Sequence, residues 1–274
     1  MALVDLAMQC FVNEILDSGV EINTRNSVCK RVMNQNVTFT ETPLLTLRKT
    51  AWKSALREME WFLSGSCKID DLHPSVHKWW KPWANEQGCI PNNYSVQFRY
   101  SAGAGDDGQI GETDQIQYIE HAIKEHPFSR RSVITTWNTT EMTSKQTPIT
   151  NCHGTVIQAF VNPDNSLHLT MYQRSSDMIL GMPHNWIQYW ALLMYLAHKG
   201  GREVGTFTWI GGDCHIYESH YEVAKEMGDY DLLMNNIETP KLIYTPTSTD
   251  FKADDFSLDG EYKPIITKSP GMVV

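Results

Sequence analysis

A chain of 274 residues is long enough to bury a sizeable core, and at about 150 residues per domain it leaves one large or two small domains open. A hydrophobic share of 41% and a charged share of 20% exclude disorder as the dominant state. The net charge of −9 argues against a general nucleic-acid binder, which carries a basic footprint, yet it permits one small anion held by a few local arginines.

In chain order, Leu3 to Ser18 has apolar residues at helical spacing and stops near Gly19, which predicts a first helix. The opening decapeptide lacks the basic start and long apolar run of a secretory leader, and Asp5 breaks the run early. Val28 to Phe39 alternates and predicts strand. Ala51 to Leu63 reads as an amphipathic helix with Gly65 as its stop signal. Ser101 to Glu112 is a Gly/Asp-rich exposed loop, and Thr113 to Glu125 is helical. Ser132 to Trp137, Thr155 to Val161 and Leu167 to Tyr172 are rich in β-branched and aromatic residues and predict strands, the last two joined by a turn at Asn162-Pro163-Asp164-Asn165. Asn185 to Lys199 predicts a long apolar helix ended by Gly200-Gly201. Its apolar stretch is too short for a membrane span. Thr206 to Ile210 predicts a strand, Ile216 to Met227 a helix and Lys241 to Thr245 a short strand. No repeat or low-complexity tract interrupts this series, so a single α+β domain over residues 1–274 is expected.

Three clusters carry chemistry. Cys152-His153 lies at a strand start, where a thiol can be exposed in a cleft and a nearby arginine can lower its pKa. The plain alternative is a buried structural thiol. His153 is a possible activating base, although neighbouring residues on a strand point to opposite faces. Tyr172-Gln173-Arg174-Ser175-Ser176-Asp177 ends a strand with a cation beside hydroxyls, which suits phosphate. Arg130-Arg131 is a second basic pair. Gly211-Gly212-Asp213-Cys214-His215-Ile216-Tyr217 follows a strand and is expected to open a helix; it lacks the GxGxxG spacing of a dinucleotide fold. The six cysteines form no CxxC pair and read as free thiols of a reducing cytosol. No His/Cys/carboxylate spacing suggests a metal.

Together these segments resemble the thymidylate synthase superfamily. The strongest are Ser129-Arg130-Arg131, Asn151-Cys152-His153, Tyr172 to Asp177, Leu180 to Asn185 and Gly211 to Tyr217. Glu58 to Gly65, Trp80 to Gly88, Pro240 to Tyr244 and the C-terminal Ser269 to Val274 add support. The resemblance spans nearly the whole chain. It implies an α+β fold with a twisted mixed sheet, helices on one face, and a sheet back that packs against a second copy in a homodimer. It implies an enzyme transferring a one-carbon unit from 5,10-methylenetetrahydrofolate to C5 of a deoxypyrimidine monophosphate in the cytoplasm, without metal, nucleic acid or membrane.

Matched motif by motif, the resemblance makes Cys152 the nucleophile at C6 of the pyrimidine, Glu58 the proton shuttle and Tyr94 part of the proton-transfer network, with His153 and Asn185 also in the catalytic set. Arg25, Arg174, Ser175 and Gln173 would hold the nucleotide, and Arg130 and Arg131 would reach the phosphate in the partner's site. His215 and Tyr217 would bind the sugar hydroxyl. Trp80, Trp83, Asp177, Leu180, Gly181 and His184 would form the folate surface. Asn185 stands where the superfamily reads the base. Uracil presents N3–H and O4, which one side-chain amide complements; deoxycytidylate hydroxymethylases carry Asp there. dUMP is therefore expected over dCMP.

The sequence departs from ordinary thymidylate synthases in places. Ile90 to Ser95 replaces a GPVYG segment, His184 replaces an apolar Phe, Arg57 to Trp61 resembles a phage hydroxymethylase run, Asn26 to Arg31 replaces a Gly-rich loop, and one residue is inserted between Cys152 and Gln158. A polar wall at His184 would admit and orient water. On that ground hydroxymethylation of dUMP, as in a phage-infected cell, is expected ahead of thymidylate synthesis and of dCMP hydroxymethylation. A non-catalytic dimeric binder on the same fold is the alternative of another class, and the joint presence of Cys152, Arg174, Glu58 and Asn185 speaks against it.

Overall fold

Residues 2–104, 110–139, 151–234, 238–268 and 270–273 are described by a computed structural model. The tip of the Gly/Asp-rich loop and the terminal residues Ser269 and Val274 lie outside the described residues.

The first half of the chain forms helix α1 (Leu3–Ser18), hairpin β1 (Val20–Asn23) and β2 (Val28–Phe39), helices α2 (Trp52–Phe62), α3 (His77–Trp80) and α4 (Tyr94–Arg99), hairpin β3 (Ser101–Ala104) and β4 (Ile110–Thr113), and helix α5 (Gln115–Glu125). The second half forms β5 (Val133–Thr135), β6 (Val156–Val161), β7 (Ser166–Asp177), α6 (Met182–Gly200), β8 (Glu203–Tyr217), α7 (Tyr221–Gly228), β9 (Leu242–Tyr244) and β10 (Phe256–Leu258). Six strands make one sheet in the order β1-β2-β8-β7-β6-β5. Every neighbouring pair is antiparallel except β7 and β8, which run parallel and are connected by α6. The sheet is mixed, as expected.

The pleat sorts side chains by parity. Ile157, Leu169, Met171, Phe207, Trp209 and Phe39 face the core, where Phe11 of α1 and Trp186 of α6 meet the Trp209 ring at 5.9 and 5.7 Å. The helices thus cover this face. On the other face Val156, Phe160 and Tyr172 are between 36% and 42% exposed, and Thr38 meets Thr208 across the strands at 2.9 Å. α6 is buried nearly all round, as its largely apolar sequence requires. It ends where Gly201 takes φ 64° and Arg202 N–H donates to Ala197 O, a left-handed cap that glycine adopts at little cost.

Three expectations change. β8 continues through Gly211 to Tyr217, because β2 keeps pairing with it as far as Cys29 and Tyr217. The Gly-Gly cluster therefore lies inside a strand, and the following helix is only Tyr221–Gly228. The flanks of the Gly/Asp-rich loop pair as a hairpin. Cys67 and Cys89 form a disulfide, so the reading of six free thiols fails for these two. Ile69 N–H donates to Gly88 O and Ile90 N–H to Cys67 O, which aligns two segments 22 residues apart; pairing over that distance leaves no local spacing to read.

Candidate active site

Cys152 lies just before β6, and Arg174 N–H on the neighbouring β7 donates to its carbonyl at 2.8 Å. Its thiol is partly exposed and lies 3.1 Å from the Tyr94 hydroxyl. That hydroxyl accepts the Cys152 N–H at 2.7 Å, which leaves its own proton to donate to sulfur. The departing segment Ile90 to Ser95 delivers this tyrosine. Asn93 accepts from Ser95 and Val96 N–H and donates to Ile90 O, capping α4 and setting Tyr94 in its first turn. Burial pushes the Cys152 thiol up; the Tyr94 bond and Arg174 pull it down without cancelling that rise. The expected lowering by arginine is present but outweighed, since Cys152 is set among Tyr94 and other buried groups.

His153 turns away from the thiol. Its ring stacks on Tyr94 at 4.2 Å and its Nδ1 meets Tyr189 Oη at 3.0 Å. Burial drives its pKa down to about 3, so it is neutral and acts in packing and orientation.

Glu58 sits on the core side of α2 beside Ala55, Met59 and Phe62. Trp80 Nε1 donates to Oε1 at 2.5 Å and Gln188 Nε2 to Oε2 at 2.6 Å. Burial raises Glu58 to about 7 despite these two bonds, which poises it to gain or lose a proton near neutral pH. From Gln188 the chain of bonds continues inward. Asn185 Nδ2 donates to Gln188 Oε1 at 3.0 Å, Gln173 Nε2 to Asn185 Oδ1 at 3.0 Å, and Trp209 Nε1 to Gln173 Oε1 at 2.9 Å.

The parallel pair β7/β8 sets Ser175 opposite Asp213 and Asp177 opposite His215. Arg31 pairs with Asp213 at 2.8 Å, and His215 Nδ1 lies 2.9 Å from the same carboxylate. Burial would raise Asp213, but His215 and Arg31 outweigh it and hold it below the usual carboxylate range. Tyr217 packs edge-on to His215 at 4.9 Å. Arg174 lies 5.4 Å over the Trp137 ring, and its buried Nε has no hydrogen-bond partner among the described residues. Arg25 is exposed in the β1–β2 turn, bonded to Asn26. Arg130 and Arg131 are exposed at the start of β5, and no carboxylate among the described residues pairs with either. A half-buried cation whose buried Nε lacks a partner among the described residues, a serine hydroxyl and two exposed arginines suit an anion.

Of the residues expected to form the folate surface, Trp80 has spent its N–H on Glu58, while Trp83, Leu180 and Gly181 are partly exposed. Asp177 Oδ1 accepts Ile179 and Leu180 N–H at 3.0 Å and faces His220 at 3.7 Å. Burial would raise it, but those bonds and His220 keep it lowered and ionised. His184 has both ring nitrogens committed to backbone: Nδ1 to Leu180 O at 2.8 Å and Nε2 to Ala51 N–H at 3.2 Å. Burial, aided by the nearby Arg48 charge, lowers it to about 4. Arg48 is buried; Nη1 donates to Lys49 O at 3.0 Å, while Nε and Nη2 have no hydrogen-bond partner among the described residues. A buried guanidinium with two free nitrogens near His184 and Asp177 fits an acidic cosubstrate such as a folate. No group of three or more His, Cys, Asp or Glu among the described residues could hold a metal, and none of their helices is long and apolar enough to cross a membrane.

The thymidylate synthase family model matches residues 8–272. This chain belongs to the thymidylate synthase family. It is 37% identical over 224 residues to a thymidylate synthase of Corynebacterium aurimucosum, covering 81% of this chain and 79% of that one. A thymidylate synthase of Buchnera aphidicola is 34% identical over 228 residues, 82% of each chain. The thermostable thymidylate synthase A of Bacillus subtilis superposes with a TM-score of 0.85 at 28% identity, over 100% of this chain and 99% of that one. Membership makes this chain a one-carbon transferase. These relatives are named thymidylate synthases, not hydroxymethylases.

Within this candidate site, sequence reasoning missed Gln188, Tyr189, Trp209, Arg31 and Arg48, and held Asp213 only as a member of the Gly211 to Tyr217 cluster. Gln188 had a signal: Asn185 and Gln188 are polar residues three apart in a helix otherwise apolar all round, and so share one buried face. The pairing of Arg31 with Asp213 had none, because strand register brings them together over 182 residues.

Proposed function

We propose that the chain is one catalytic domain that makes thymidylate, methylating dUMP at C5 with 5,10-methylenetetrahydrofolate. The observation that carries this is the convergence of the Tyr94-bonded Cys152 thiol, the Glu58 carboxyl poised near 7 and the Asn185 amide. Cys152 sulfur, having given up its proton, bonds to C6 of uracil and the electron pair of the C5–C6 double bond moves to C5; once the methyl group is complete the double bond re-forms and the sulfur leaves C6. Asn185 offers one acceptor and one donor to N3–H and O4. Glu58 moves a proton at the base, and Tyr94 holds the sulfur and takes part in removing the C5 proton. Methylenetetrahydrofolate, when bound, supplies the one-carbon unit and the hydride that completes the methyl group. Arg48, Trp83, Leu180 and Gly181 would hold it.

The expected hydroxymethyl product rested on His184 as a polar wall that orients water. Its ring nitrogens are both taken by backbone partners, which leaves it nothing to offer a water molecule. The relatives' names favour methylation as well. Incubation with dUMP and methylenetetrahydrofolate is expected to give dihydrofolate, seen by its absorbance, in step with the nucleotide consumed. Nucleotide consumption without dihydrofolate would overturn the reading in favour of hydroxymethyl transfer.

We further propose a homodimer formed by the open sheet face, with its exposed Val156, Phe160 and Tyr172. Arg130 and Arg131 would then reach the phosphate in the partner's site.

A further inference from the structure

We propose that Gln188 makes the base-reading amide one-directional and so sets the preference for uracil over cytosine. This rests on dUMP occupying the site as read above.

Asn185 is 6% exposed and Gln188 is fully buried. The orientation of the Asn185 amide is fixed from both sides by groups that cannot change role. On one side the Trp209 indole can only donate. It donates to Gln173 Oε1, so Gln173 Nε2 must face Asn185 and donate to Oδ1. On the other side the Ala55 carbonyl can only accept. It accepts from Gln188 Nε2 at 3.0 Å, so Gln188 Oε1 must face Asn185 and accept from Nδ2. Glu58 reinforces that orientation, since its Oε2 accepts from the same Gln188 nitrogen. Turning the Asn185 amide over would set nitrogen against nitrogen at Gln173 and oxygen against oxygen at Gln188, in a buried site where each lost bond is costly.

The direction decides the base. Uracil shows a donor at N3 and an acceptor at position 4; cytosine shows an acceptor at N3 and a donor at position 4. With the nucleotide held by its phosphate, an amide in one orientation reads one of these edges, and the flipped amide reads the other. An unanchored asparagine would serve both. Gln188 supplies the anchor on the Glu58 side, and it joins base reading to the proton shuttle through one side chain. It is a positioning residue.

The test measures dUMP and dCMP binding by equilibrium dialysis in the wild type, Gln188→Met and Gln188→Glu, with thermal melting as the folding control. The wild type is expected to prefer dUMP. Gln188→Met removes all three hydrogen bonds at similar volume, the one to Asn185 included, and the preference should fall about tenfold, the worth of one anchoring hydrogen bond. Gln188→Glu keeps an acceptor toward Asn185 and should keep the preference. Its second carboxyl beside Glu58 should also move the acid limb of the pH–rate profile upward. A folded Gln188→Met with the wild-type preference overturns the inference. So does a Gln188→Glu that loses the preference, and this variant decides if the Met variant does not fold. A wild type that binds neither nucleotide overturns the dUMP reading itself, a result distinct from these.

Discussion

At the scale of single residues, the site depends on burial more than on charge. Cys152 has a cation nearby and still has its pKa raised, because desolvation is the larger effect. The Tyr94 hydroxyl compensates at the sulfur itself, through a bond rather than a field. Cys152→Ala is therefore expected to lower turnover at least about a thousandfold, as loss of a nucleophile does, while dUMP still binds through the arginines. Turnover with dUMP and dUMP binding by dialysis check the two halves. Glu58 makes the second test. Its folded pKa of about 7 lies above the ordinary 4.5, so the folded protein favours the protonated form. Stability is lost as pH rises from 4.5 through 7, because the buried carboxyl must then ionise. That rise corresponds to about 3 kcal/mol. Glu58→Gln cannot ionise and escapes this loss. Urea melts should show the variant gaining on the wild type by up to about that amount between pH 4 and pH 8, while its activity loses the ionisation near pH 7.

At the scale of elements, the sequence was most legible where periodicity is local. α1, α2, α6 and the strands β2, β6 and β7 follow from apolar spacing and turn residues, and Asn165 takes its turn with φ 69°. The motif residues were legible by resemblance, and Cys152, Tyr94, Glu58 and Asn185 do come together. What was hidden depends on register and long-range pairing. The strand course of Gly211 to Tyr217 is set by β2, more than 170 residues earlier, and glycines that read as a helix start are tight strand positions. A Cβ at Gly211 would lie 2.4 Å from the Trp209 ring. The same holds for Cys67 and Cys89. Their bond closes the segment that carries Trp80 against Glu58. Thiol titration of the unreduced, denatured protein should count four free thiols, the wild-type six less this pair. Six would contradict the bond.

At the scale of the whole molecule, an acidic chain keeps several arginines without a carboxylate partner among the described residues. Arg174 has an open valence, and Arg130 and Arg131 have no carboxylate partner among the described residues. In a dimer joined by the open sheet face, one subunit would supply Cys152 and the other Arg130 and Arg131. Cys152→Ala and an Arg130→Ala/Arg131→Ala variant, each much reduced alone, should then regain activity when subunits are mixed. One of the sites in each mixed dimer would be whole, so up to about a quarter of wild-type activity is expected for random pairing by symmetry of the assembly. No recovery would count against shared sites.

Methyl rather than hydroxymethyl transfer to dUMP is the proposed outcome at Cys152. Mass spectrometry of the nucleotide after a reaction run in heavy-oxygen water tests it most directly. Thymidylate carrying no heavy oxygen is the expected product. A hydroxymethyl nucleotide bearing the label would contradict it.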